Sequence, residues 1–428
     1  MKKILISAYA VSPIRGSECA VGWEITKRLG QYFDVTVLVC EKTPSAANFE
    51  NEIKKYLDEN GFIKNVSYVF VPMPKSSKIY TWLHDNGFWP AYYWGYNCWQ
   101  KSAFEMAKKL HITNKFDLVY QLNMIGFREP GYLWKLPVPF VWGPTNGFHS
   151  IPLSFLKSLK GKEYFFQHLK HFFNELQILI SKRSKKVAKK AAVVWCVDEV
   201  AKYTIEKWGG KTDLLQETGL NMLDNETFST IKKFENQNVL NLVWSGMITS
   251  GKALGILIDA LLLNKDLNFK LTILGDGPLL QEMKVKAESI SHKIVWKGWL
   301  PKDEAIECVK SSDLLIHTSL KEGTPHSVLE AIAYGIPVVC HDTCGMGVAV
   351  NDKNGFKIPY RDFETSILFV SELLKSIFEN PHILNDKYDT IGQTTAMLSW
   401  DSKVEYIADK ITAIIASSTK SPDPVPQS

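Results

Sequence analysis

The sequence predicts an α/β protein made of two doubly wound parallel sheets, and three observations support this class. Short apolar runs alternate with segments of helical periodicity along the chain. The alternation stops at a polar stretch near residue 218 and starts again near residue 240. Residues 1–217 contain 30 basic and 19 acidic residues, whereas residues 218–428 contain 20 and 26. Two βα arrays of opposite charge indicate two domains with different partners.

The first half contains six predicted strands, each an apolar run of the kind that is buried on both faces of a parallel sheet. They lie at Lys3–Ser7, Val35–Val39, Val66–Val71, Leu118–Leu122, Phe140–Trp142 and Val193–Val197. Helical periodicity between them is clearest at Glu18–Leu29, Ala91–Leu110 and Val200–Trp208. Residues 1–217 are therefore predicted to form a Rossmann-like N-terminal domain.

The second half repeats this pattern and is predicted to form a second Rossmann-like domain over residues 218–397. Its strands are predicted at Leu240–Ser245, Lys270–Leu274, Ile294–Trp296, Leu314–His317 and Val338–Cys340. Its helices are predicted near Ala253–Leu263, Pro278–Ser289, Glu304–Val309 and Ser327–Tyr334. The polar stretch Thr218–Asn238 is interpreted as the linker, and residues 417–428, with three prolines, as a disordered tail.

Composition excludes several classes of protein. The chain has 428 residues, of which 45% are hydrophobic and 22% charged, as in soluble globular proteins. No apolar run is long enough to cross a membrane, and the apolar N-terminus is better explained as a buried strand than as a signal peptide. Seven cysteines without a C-x-x-C pair indicate reduced thiols in a cytoplasmic protein. The histidines have no metal-ligand spacing, so no metal site is expected.

The loop after the first predicted strand is a candidate phosphate contact. It contains Arg15 and Gly16 and leads directly into a helix, whose N-terminal N–H groups suit an anion. The dinucleotide fingerprint G-x-G-x-x-G is absent, which counts against a nicotinamide enzyme. A simple turn with a helix cap explains the same residues without any ligand.

The most informative segment follows the strand Leu314–His317 and opens a helix. Loop amides and the helix dipole suit a diphosphate there, while the carboxylates of Glu322 and Glu330 can accept hydrogen bonds from hydroxyl groups. Because Ser327 and Glu330 have the spacing of a capping box, a structural role for both remains open. The candidate residues of this segment are Glu322, Gly323, Thr324, Pro325, His326, Ser327 and Glu330.

Short motifs in order along residues 1–416 resemble those of the retaining glycosyltransferases of family 4. The resemblance implies a GT-B fold, in which two Rossmann-like domains face a cleft and a last helix, here 398–416, crosses back to the first domain. Besides Glu322–Glu330, it depends on Gly16-Ser17-Glu18, Trp142–Gly147, Trp244–Gly246, Leu274–Pro278, Lys297–Pro301, Asp352–Phe356 and Ser399–Asp401.

The resemblance also implies roles for single residues. Glu322 would contact the donor sugar, Glu330 the ribose, and Lys252 the donor diphosphate. The protein would then be a metal-independent, retaining glycosyltransferase that needs no cofactor besides its nucleotide-sugar donor, and whose acceptor is a saccharide or a glycolipid in surface polysaccharide biosynthesis. The remaining donor-binding residues would be Arg15, Gly16, Gly246, Gly275, Gly277, Gly323, Thr324, Pro325, His326 and Ser327.

Two departures from the family pattern leave alternatives open. Met247 stands where relatives place an arginine, and no histidine lies near residues 121–124. Arg15 could replace the missing arginine, or the chain could be a degenerate partner protein that binds sugar nucleotides. A nucleotide-sugar epimerase or hydrolase is a further alternative on the same architecture. Acceptor contacts are assigned to Asn123, Arg128 and Asn146, with a structural salt bridge as the alternative for Arg128 and Glu129.

Residues 157–190 form a second candidate surface, because ten basic residues are mixed with phenylalanines there. A basic amphipathic helix pair suits an anionic membrane surface, which predicts a cytoplasmic protein on the inner face of the cell membrane. A solvated hairpin that packs its aromatic residues on the domain explains the pattern equally well. No nucleic-acid-binding motif accompanies the charge. The aromatic residues of 82–99 are interpreted as core or interface rather than as sugar-stacking faces.

Overall fold

A computed structural model describes residues 1–43, 47–88, 90–157, 161–221, 234–235 and 239–419. Contacts between residues divide the chain into two compact units. The first comprises Met1–Phe148, Gln177–Thr218 and the chain from Trp400 onward, and the second comprises His149–Leu176 and Gly219–Ser399. The division at 218/219 lies one residue from the boundary predicted from the sequence, whereas residues 149–176 group with the second unit.

The first unit is built on a parallel sheet of seven strands in the order β3-β2-β1-β4-β5-β6-β7. All six predicted strands are present, and most extend by a residue or more beyond their predicted ends. Strand β7 was not predicted, because this three-residue edge strand has no long apolar run. The strands are β1 Lys3–Ala8, β2 Asp34–Cys40, β3 Val66–Val71, β4 Leu118–Asn123, β5 Phe140–Thr145, β6 Val193–Cys196 and β7 Thr212–Leu214.

The second unit is built on a parallel sheet of six strands in the order β10-β9-β8-β11-β12-β13. The five predicted strands are confirmed, and β13 was missed because its four residues include a glycine and a lysine. These two doubly wound sheets confirm the predicted α/β class. The strands are β8 Leu240–Ser245, β9 Phe269–Leu274, β10 Ile294–Gly298, β11 Leu314–His317, β12 Val338–His341 and β13 Gly355–Ile358.

Helices connect the parallel strands, as the geometry of parallel pairing requires. In chain order they are α1 Glu18–Leu29, α2 Phe49–Asn60, α3 Lys78–Asp85, α4 Ala91–Asn114, α5 Leu153–Leu156, α6 Gly161–Ile180, α7 Lys182–Lys190, α8 Glu199–Lys207, α9 Leu254–Leu263, α10 Leu280–Lys286, α11 Lys302–Lys310, α12 His326–Ala333, α13 Cys344–Ala349, α14 Phe363–Glu379, α15 His382–Thr390, α16 Gly392–Thr395 and α17 Trp400–Thr419.

Helix α17 completes the first unit, where it packs against α1. Its residues Trp400, Val404 and Ile407 are buried in the core of that unit. The Asp401 carboxylate accepts a hydrogen bond of 2.7 Å from Nε of Arg28 on α1. The chain therefore returns to its first sheet after finishing the second.

The predicted linker and tail fall partly outside the described residues. Within Thr218–Asn238, residues 222–233 and 236–238 are not described, while Phe234 is buried in the core of the second unit. In the predicted tail, residues 417–419 belong to α17 and residues 420–428 lie outside the described residues. All seven cysteines are free thiols in the structure. Among the described residues, no helix has both the length and the apolar character needed to cross a membrane.

Candidate active site

Three loops are joined at the carboxyl ends of β8, β9 and β10 in the second unit. The amide of Gly246 donates to the carbonyl of Leu274 at 2.9 Å, and the amide of Gly275 donates to the carbonyl of Gly298 at 2.7 Å. Gly275 has a φ of +133°, and a Cβ atom there would lie 1.9 Å from the carbonyl oxygen of Gly246. At Gly277 a Cβ atom would lie 2.5 Å from the carbonyl oxygen of Ile248. Both glycines are thus required for the close approach of these loops.

Glu322 and Lys252 meet at this edge of the sheet. The Nζ atom of Lys252 forms an ion pair with Oε2 of Glu322, although the two residues are 70 positions apart in the chain. Lys252 also lies beside Gly246, because a Cβ atom at Gly246 would be 3.7 Å from its Cδ atom. The structure therefore brings together three of the residues that the sequence analysis singled out.

His317 is a third member of this cluster, and the sequence analysis missed it. It is the last residue of β11, only 2% of its side chain is exposed, and its Nε2 atom lies 3.0 Å from Oε2 of Glu322. Since an ionised carboxylate can only accept, Nε2 carries the hydrogen. One sequence signal could have identified His317: it is a polar residue at the end of an apolar strand, five positions before Glu322.

The surroundings of Glu322 keep it ionised. Burial by itself would raise its pKa, but the contacts with His317 and Lys252 outweigh this and lower the pKa to about 2. Burial also lowers the pKa of His317 below its ordinary value, so the imidazole is neutral at pH 7. The cluster therefore contains an anion, a cation and a neutral donor that share one carboxylate oxygen.

Neighbouring hydrogen bonds hold Lys252 in place. The indole Nε1 of Trp244 donates to Oγ1 of Thr318 at 3.0 Å, and that hydroxyl donates to the carbonyl of Lys252 at 2.8 Å. The amide of Leu320 donates to the carbonyl of Gly251 at 2.8 Å. These bonds join β8, β11 and the loop between β8 and α9, so the backbone of Lys252 is fixed before any ligand binds.

Helix α12 begins immediately after Glu322 and its loop. Pro325 is the N-cap residue and Ser327 already lies inside the helix, so the capping box between Ser327 and Glu330 is not formed. The amides of His326 and Ser327 have no hydrogen-bond acceptor in the described part of the chain, as expected for a first helical turn. The carboxylate of Glu330 lies 3.4 Å from Nζ of Lys302, a lysine with 76% of its side chain exposed.

The loop between β1 and α1 carries Arg15 and Gly16 in the first unit. The guanidinium of Arg15 is ion-paired with Glu52 at 2.6 Å. A Cβ atom at Gly16 would meet no atom of the described residues within 4 Å. Packing within the protein therefore does not require a glycine at this position, and the space beside it is open to a ligand.

Glu18, which starts α1, is a second residue whose chemistry the sequence analysis did not recognise. Its Oε1 atom accepts a hydrogen bond of 3.4 Å from the amide of Ile125, while its Oε2 atom is buried and has no partner within the described chain. Burial, with a smaller contribution from the nearby Glu217, raises the pKa of Glu18 to about 7, although the hydrogen bond from the amide of Ile125 lowers it. The sequence places Glu18 in the Gly16-Ser17-Glu18 motif, but nothing in the sequence indicates that its carboxyl group is buried and its pKa raised.

The three residues assigned to acceptor contact also lie in the first unit. Asn123 is completely buried, and its amide nitrogen donates to the carbonyls of Ala10 at 2.8 Å and Glu18 at 3.1 Å, so it holds the β1–α1 loop in place. Asn146 accepts a bond of 2.6 Å from the amide of Gly147. The guanidinium of Arg128 lies 4.5 Å from the ring centroid of Phe127.

The alternative of a structural salt bridge at this position is confirmed for Glu129. Glu129 pairs with Arg183 on α7, and it also accepts a bond of 2.6 Å from Asn97 on α4. Arg128 instead donates to Gln177. The carboxylate of Glu129 therefore joins two helices of the first unit.

Helices α6 and α7 form the predicted basic helix pair. Residues of α6 spaced three, four and seven apart are exposed and apolar, which leaves one face of this helix uncovered. Lys170 lies over this face, 4.4 Å from the ring centroid of Phe166. The exposed apolar residues are Phe165, Phe166, Leu169, Phe172 and Phe173.

Residues of the second unit match a known protein family, and parts of the chain are similar to known proteins. Residues 226–388, which contain β8 to β13, match the family model for glycosyl transferases group 1. The chain is 27% identical to the alpha-monoglucosyldiacylglycerol synthase of Streptococcus pneumoniae over 120 residues, 28% of this chain and 27% of that protein. It is 26% identical to an uncharacterized glycosyltransferase of Methanocaldococcus jannaschii over 325 residues, 71% of this chain and 78% of that protein.

Solved structures of GT-B glycosyltransferases resemble almost the whole chain. Anabaena HepE in complex with UDP-glucose matches with a TM-score of 0.57 and 14% identity, over 96% of this chain and 100% of that one. At this identity the likeness shows the fold alone. It confirms the GT-B fold expected from the sequence.

Proposed function

We propose that this chain, whose residues 226–388 match the family model for glycosyl transferases group 1 and whose fold is GT-B, is a group 1 glycosyltransferase. It transfers a sugar from a nucleotide-diphosphate sugar to a hydroxyl group of a saccharide or glycolipid acceptor in surface polysaccharide biosynthesis. The configuration of the transferred sugar is retained, and no metal ion takes part. The names of its relatives support this choice, because one makes a glucosylated diacylglycerol and another binds UDP-glucose.

The observation that carries the proposal is the shared contact of Lys252 and His317 with one oxygen of Glu322. The other oxygen, Oε1, makes no hydrogen bond to a described residue, so it can accept one from a hydroxyl of the donor sugar. One of the three N–H groups of Lys252 donates to Glu322, and the other two can donate to phosphate oxygens. The first-turn amides of α12 add uncharged donors for the same diphosphate.

This arrangement favours departure of the nucleoside diphosphate. As the bond between the anomeric carbon and the phosphate oxygen breaks, negative charge grows on the diphosphate, where Lys252 and the amides of α12 stabilise it. The acceptor oxygen forms its bond to the anomeric carbon on the same face, and its proton passes to the departing phosphate oxygen. Glu322 remains ionised throughout and orients the sugar, since its pKa lies far below neutral.

The test is transfer by matched variants. Glu322→Gln and Lys252→Met should each lower kcat by about a hundredfold or more, while circular dichroism and thermal unfolding show an intact fold. Glu372→Gln and Lys375→Met, at exposed positions of α14, serve as controls and should behave like wild type. Full activity of both site variants would overturn the assignment. The anomeric configuration of the product, read by NMR, and activity in the presence of EDTA test retention and independence of metal.

Met247 favours one second candidate, a protein that binds sugar nucleotides without turning them over. Its side chain is 51% exposed beside the donor loop and offers no positive charge. Binding of UDP-glucose and GDP-mannose without transfer, hydrolysis or epimerisation would support this candidate. Release or epimerisation of the sugar without acceptor would instead identify a hydrolase or an epimerase.

Residues 157–190 supply the membrane contact of the proposed enzyme. The exposed phenylalanines of α6 can enter the interface between lipid headgroups and chains, while the lysines of α7 meet anionic headgroups, each contributing about 1 kcal/mol. Binding to phosphatidylglycerol vesicles, measured by sedimentation, should exceed binding to phosphatidylcholine vesicles and should fall in Phe165→Ser/Phe172→Ser. Phe62→Ser is the control, because Phe62 is 95% exposed and lies outside residues 157–190. Equal sedimentation of wild type and double variant would contradict this contact.

A further inference from the structure

The hydroxyl group of Tyr96 is buried in the first unit and has its hydrogen-bonding places filled. Tyr96 lies in α4, and only 2% of the residue is exposed. Its hydroxyl donates to the carbonyl of Asn123 at 3.0 Å and accepts from the amide of Met124 at 3.0 Å. The side-chain amide of Gln100, one turn further along α4, also donates to it. Because a hydroxyl has one donor and two acceptor places, this one has no capacity left for a ligand and acts within the protein.

Residues 123–125, where the chain leaves β4, hold both ends of the loop between β1 and α1. The side chain of Asn123 accepts from the amide of Ala10 at 3.3 Å and donates to its carbonyl at 2.8 Å. At the other end of the loop, Asn123 donates to the carbonyl of Glu18 at 3.1 Å. The amide of Ile125 donates to the carboxyl group of Glu18 at 3.4 Å. The loop therefore takes its position from residues 123–125.

These elements are packed too closely to shift independently. A Cβ atom at Gly22 in α1 would lie 2.3 Å from the carbonyl oxygen of Ala10 and 3.1 Å from the side-chain nitrogen of Asn123. The ring of Tyr96 is also fixed, since it stacks on Trp99 with the ring centroids 6.3 Å apart. Closely packed interiors transmit displacements. A shift of Asn123 would therefore move the β1–α1 loop as well.

The middle of this loop has much less support than its ends. Residues 14–17 are exposed, and a Cβ atom at Gly16 would meet no atom of the described residues within 4 Å. Arg15 is paired with Glu52 on α2, but 44% of its side chain remains exposed. Arg15 and Gly16 are the candidate phosphate contacts of the first unit. Their position depends on where the ends of the loop are held.

From these contacts we propose that Tyr96 is a positioning residue for the phosphate contact of the β1–α1 loop. Its hydroxyl fixes Asn123 and the segment that follows, this segment fixes both ends of the loop, and the loop presents Gly16 to a phosphate group. Because the loop is placed before the ligand arrives, less conformational freedom is lost on binding. This inference rests on the proposed transferase function, to which it adds a residue that acts on donor binding from within the core.

Tyr96→Phe removes the hydroxyl and keeps the ring, and Tyr388→Phe is its matched control. The hydroxyl of Tyr388 is also buried and donates to a backbone carbonyl, that of Asp313 at 2.7 Å, in the second unit. Both variants should unfold at a lower temperature than wild type, because each loses one buried hydrogen bond. Calorimetric titration with UDP and GDP should show binding about fivefold weaker in Tyr96→Phe and unchanged in Tyr388→Phe. Equal affinities in Tyr96→Phe and wild type would overturn the inference.

Hydrogen exchange tests the positioning itself without a ligand. The amides of residues 10–18 should exchange about tenfold faster in Tyr96→Phe than in wild type, and at the wild-type rate in Tyr388→Phe. If Tyr96→Phe does not fold, Gln100→Met removes one partner of the hydroxyl and gives the same comparison with a smaller effect. Unchanged exchange of the loop would overturn the inference even if sugar transfer occurs. Faster exchange in a protein whose wild type transfers no sugar would count against the proposed function alone.

A double-mutant cycle shows whether Tyr96 acts through the loop. Tyr96→Phe and Gly16→Ala disturb the same contact, so their combined effect on the Kd for the nucleotide should be at least about twofold smaller than the product of the single effects. Tyr388→Phe and Gly16→Ala lie in different units and should combine without coupling. If the effects of Tyr96→Phe and Gly16→Ala simply multiply, Tyr96 contributes only to stability and the inference is wrong.

Discussion

The imidazole Nε2 of His317 lies 3.0 Å from Oε2 of Glu322, and this contact joins the end of a buried strand to the loop that opens α12. The imidazole is almost completely buried and neutral at pH 7, so it is a fixed hydrogen-bond donor rather than a counter-ion. Lys252 supplies the positive charge from a different loop. Because the carboxylate is held from two sides, it is oriented before the donor arrives, which removes part of the entropic cost of the reaction.

His317 is predicted to act as a positioning residue for Glu322. His317→Leu should lower kcat by about ten- to a hundredfold, because the carboxylate loses one of its two donors. His317→Gln, which can present an amide N–H at a similar place, should recover much of that loss. Parallel kcat and donor KM measurements on both variants check this. Equal loss in both would mean that His317 contributes only to packing.

The ion pair of Glu322 predicts a specific dependence of stability on pH. Its pKa is about 2 in the folded protein and about 4.3 in an unfolded chain, so its stabilising contribution is fully present above that unfolded value and is lost as the pH falls toward 2. Between pH 7 and pH 3 the loss should be about 2 kcal/mol. Urea unfolding of wild type and Glu322→Gln at both pH values measures it. A difference between the two proteins that is independent of pH would contradict the prediction.

The raised pKa of Glu18 predicts the opposite dependence of stability on pH. Its folded pKa of about 7 lies above the unfolded value, so the folded state holds an extra proton at intermediate pH, and stability is lost as the pH rises from about 4.3 to about 7. Glu18→Gln removes this loss and should be more stable than wild type at pH 8 by about 3–4 kcal/mol. At pH 4 the two proteins should be nearly equal. Chemical unfolding of both proteins at pH 4 and pH 8 measures this difference. If Glu18→Gln were already more stable than wild type by the full amount at pH 4, the difference could not come from the titration of Glu18.

Met247→Arg is predicted to strengthen donor binding. The side chain at 247 is half-exposed and follows Gly246, which lies beside Lys252, so an arginine fits without repacking. A second cation near the diphosphate should tighten binding of UDP or GDP by about tenfold. Isothermal titration calorimetry measures this, with Met397→Arg, at another exposed methionine, as the control. Unchanged affinity would mean that position 247 does not face the diphosphate.

Gly275, in the loop after β9, and Gly16, in the loop after β1, are predicted to have different roles. Gly275 is needed for the stability of the fold, and Gly16 for binding of the donor. Gly275→Ala should destabilise the protein by about 2–4 kcal/mol, because a Cβ atom there would lie 1.9 Å from a carbonyl oxygen and its φ is +133°. Gly16→Ala should leave the unfolding temperature unchanged, since no atom lies within 4 Å, but should weaken donor binding. Thermal unfolding and calorimetric titration together separate the two effects. A large loss of stability in Gly16→Ala would remove the case for a ligand beside that loop.

The architecture was largely predictable because it depends on local patterns. Apolar runs long enough to be buried on both faces identified eleven of the thirteen strands, and helical periodicity identified α1 to the residue. The strands β7 and β13 were missed because short edge strands need few apolar residues. The placement of its segment after a predicted strand likewise singled out Glu322, whereas Lys252 was implied only by the resemblance to the family 4 glycosyltransferases.

The tertiary structure decided what distant residues do to one another. Only folding brings Lys252, and His317 at the end of β11, next to Glu322. These contacts keep the carboxylate of Glu322 ionised. It also showed that Arg183 is the partner of Glu129 and that the capping box at Ser327 is not formed. Spacing along a sequence reports secondary structure, whereas pKa values and ion pairs depend on burial and on distances across a sheet. The sequence by itself therefore determined the kind of protein, and the packing of its loops determined the chemistry of its site.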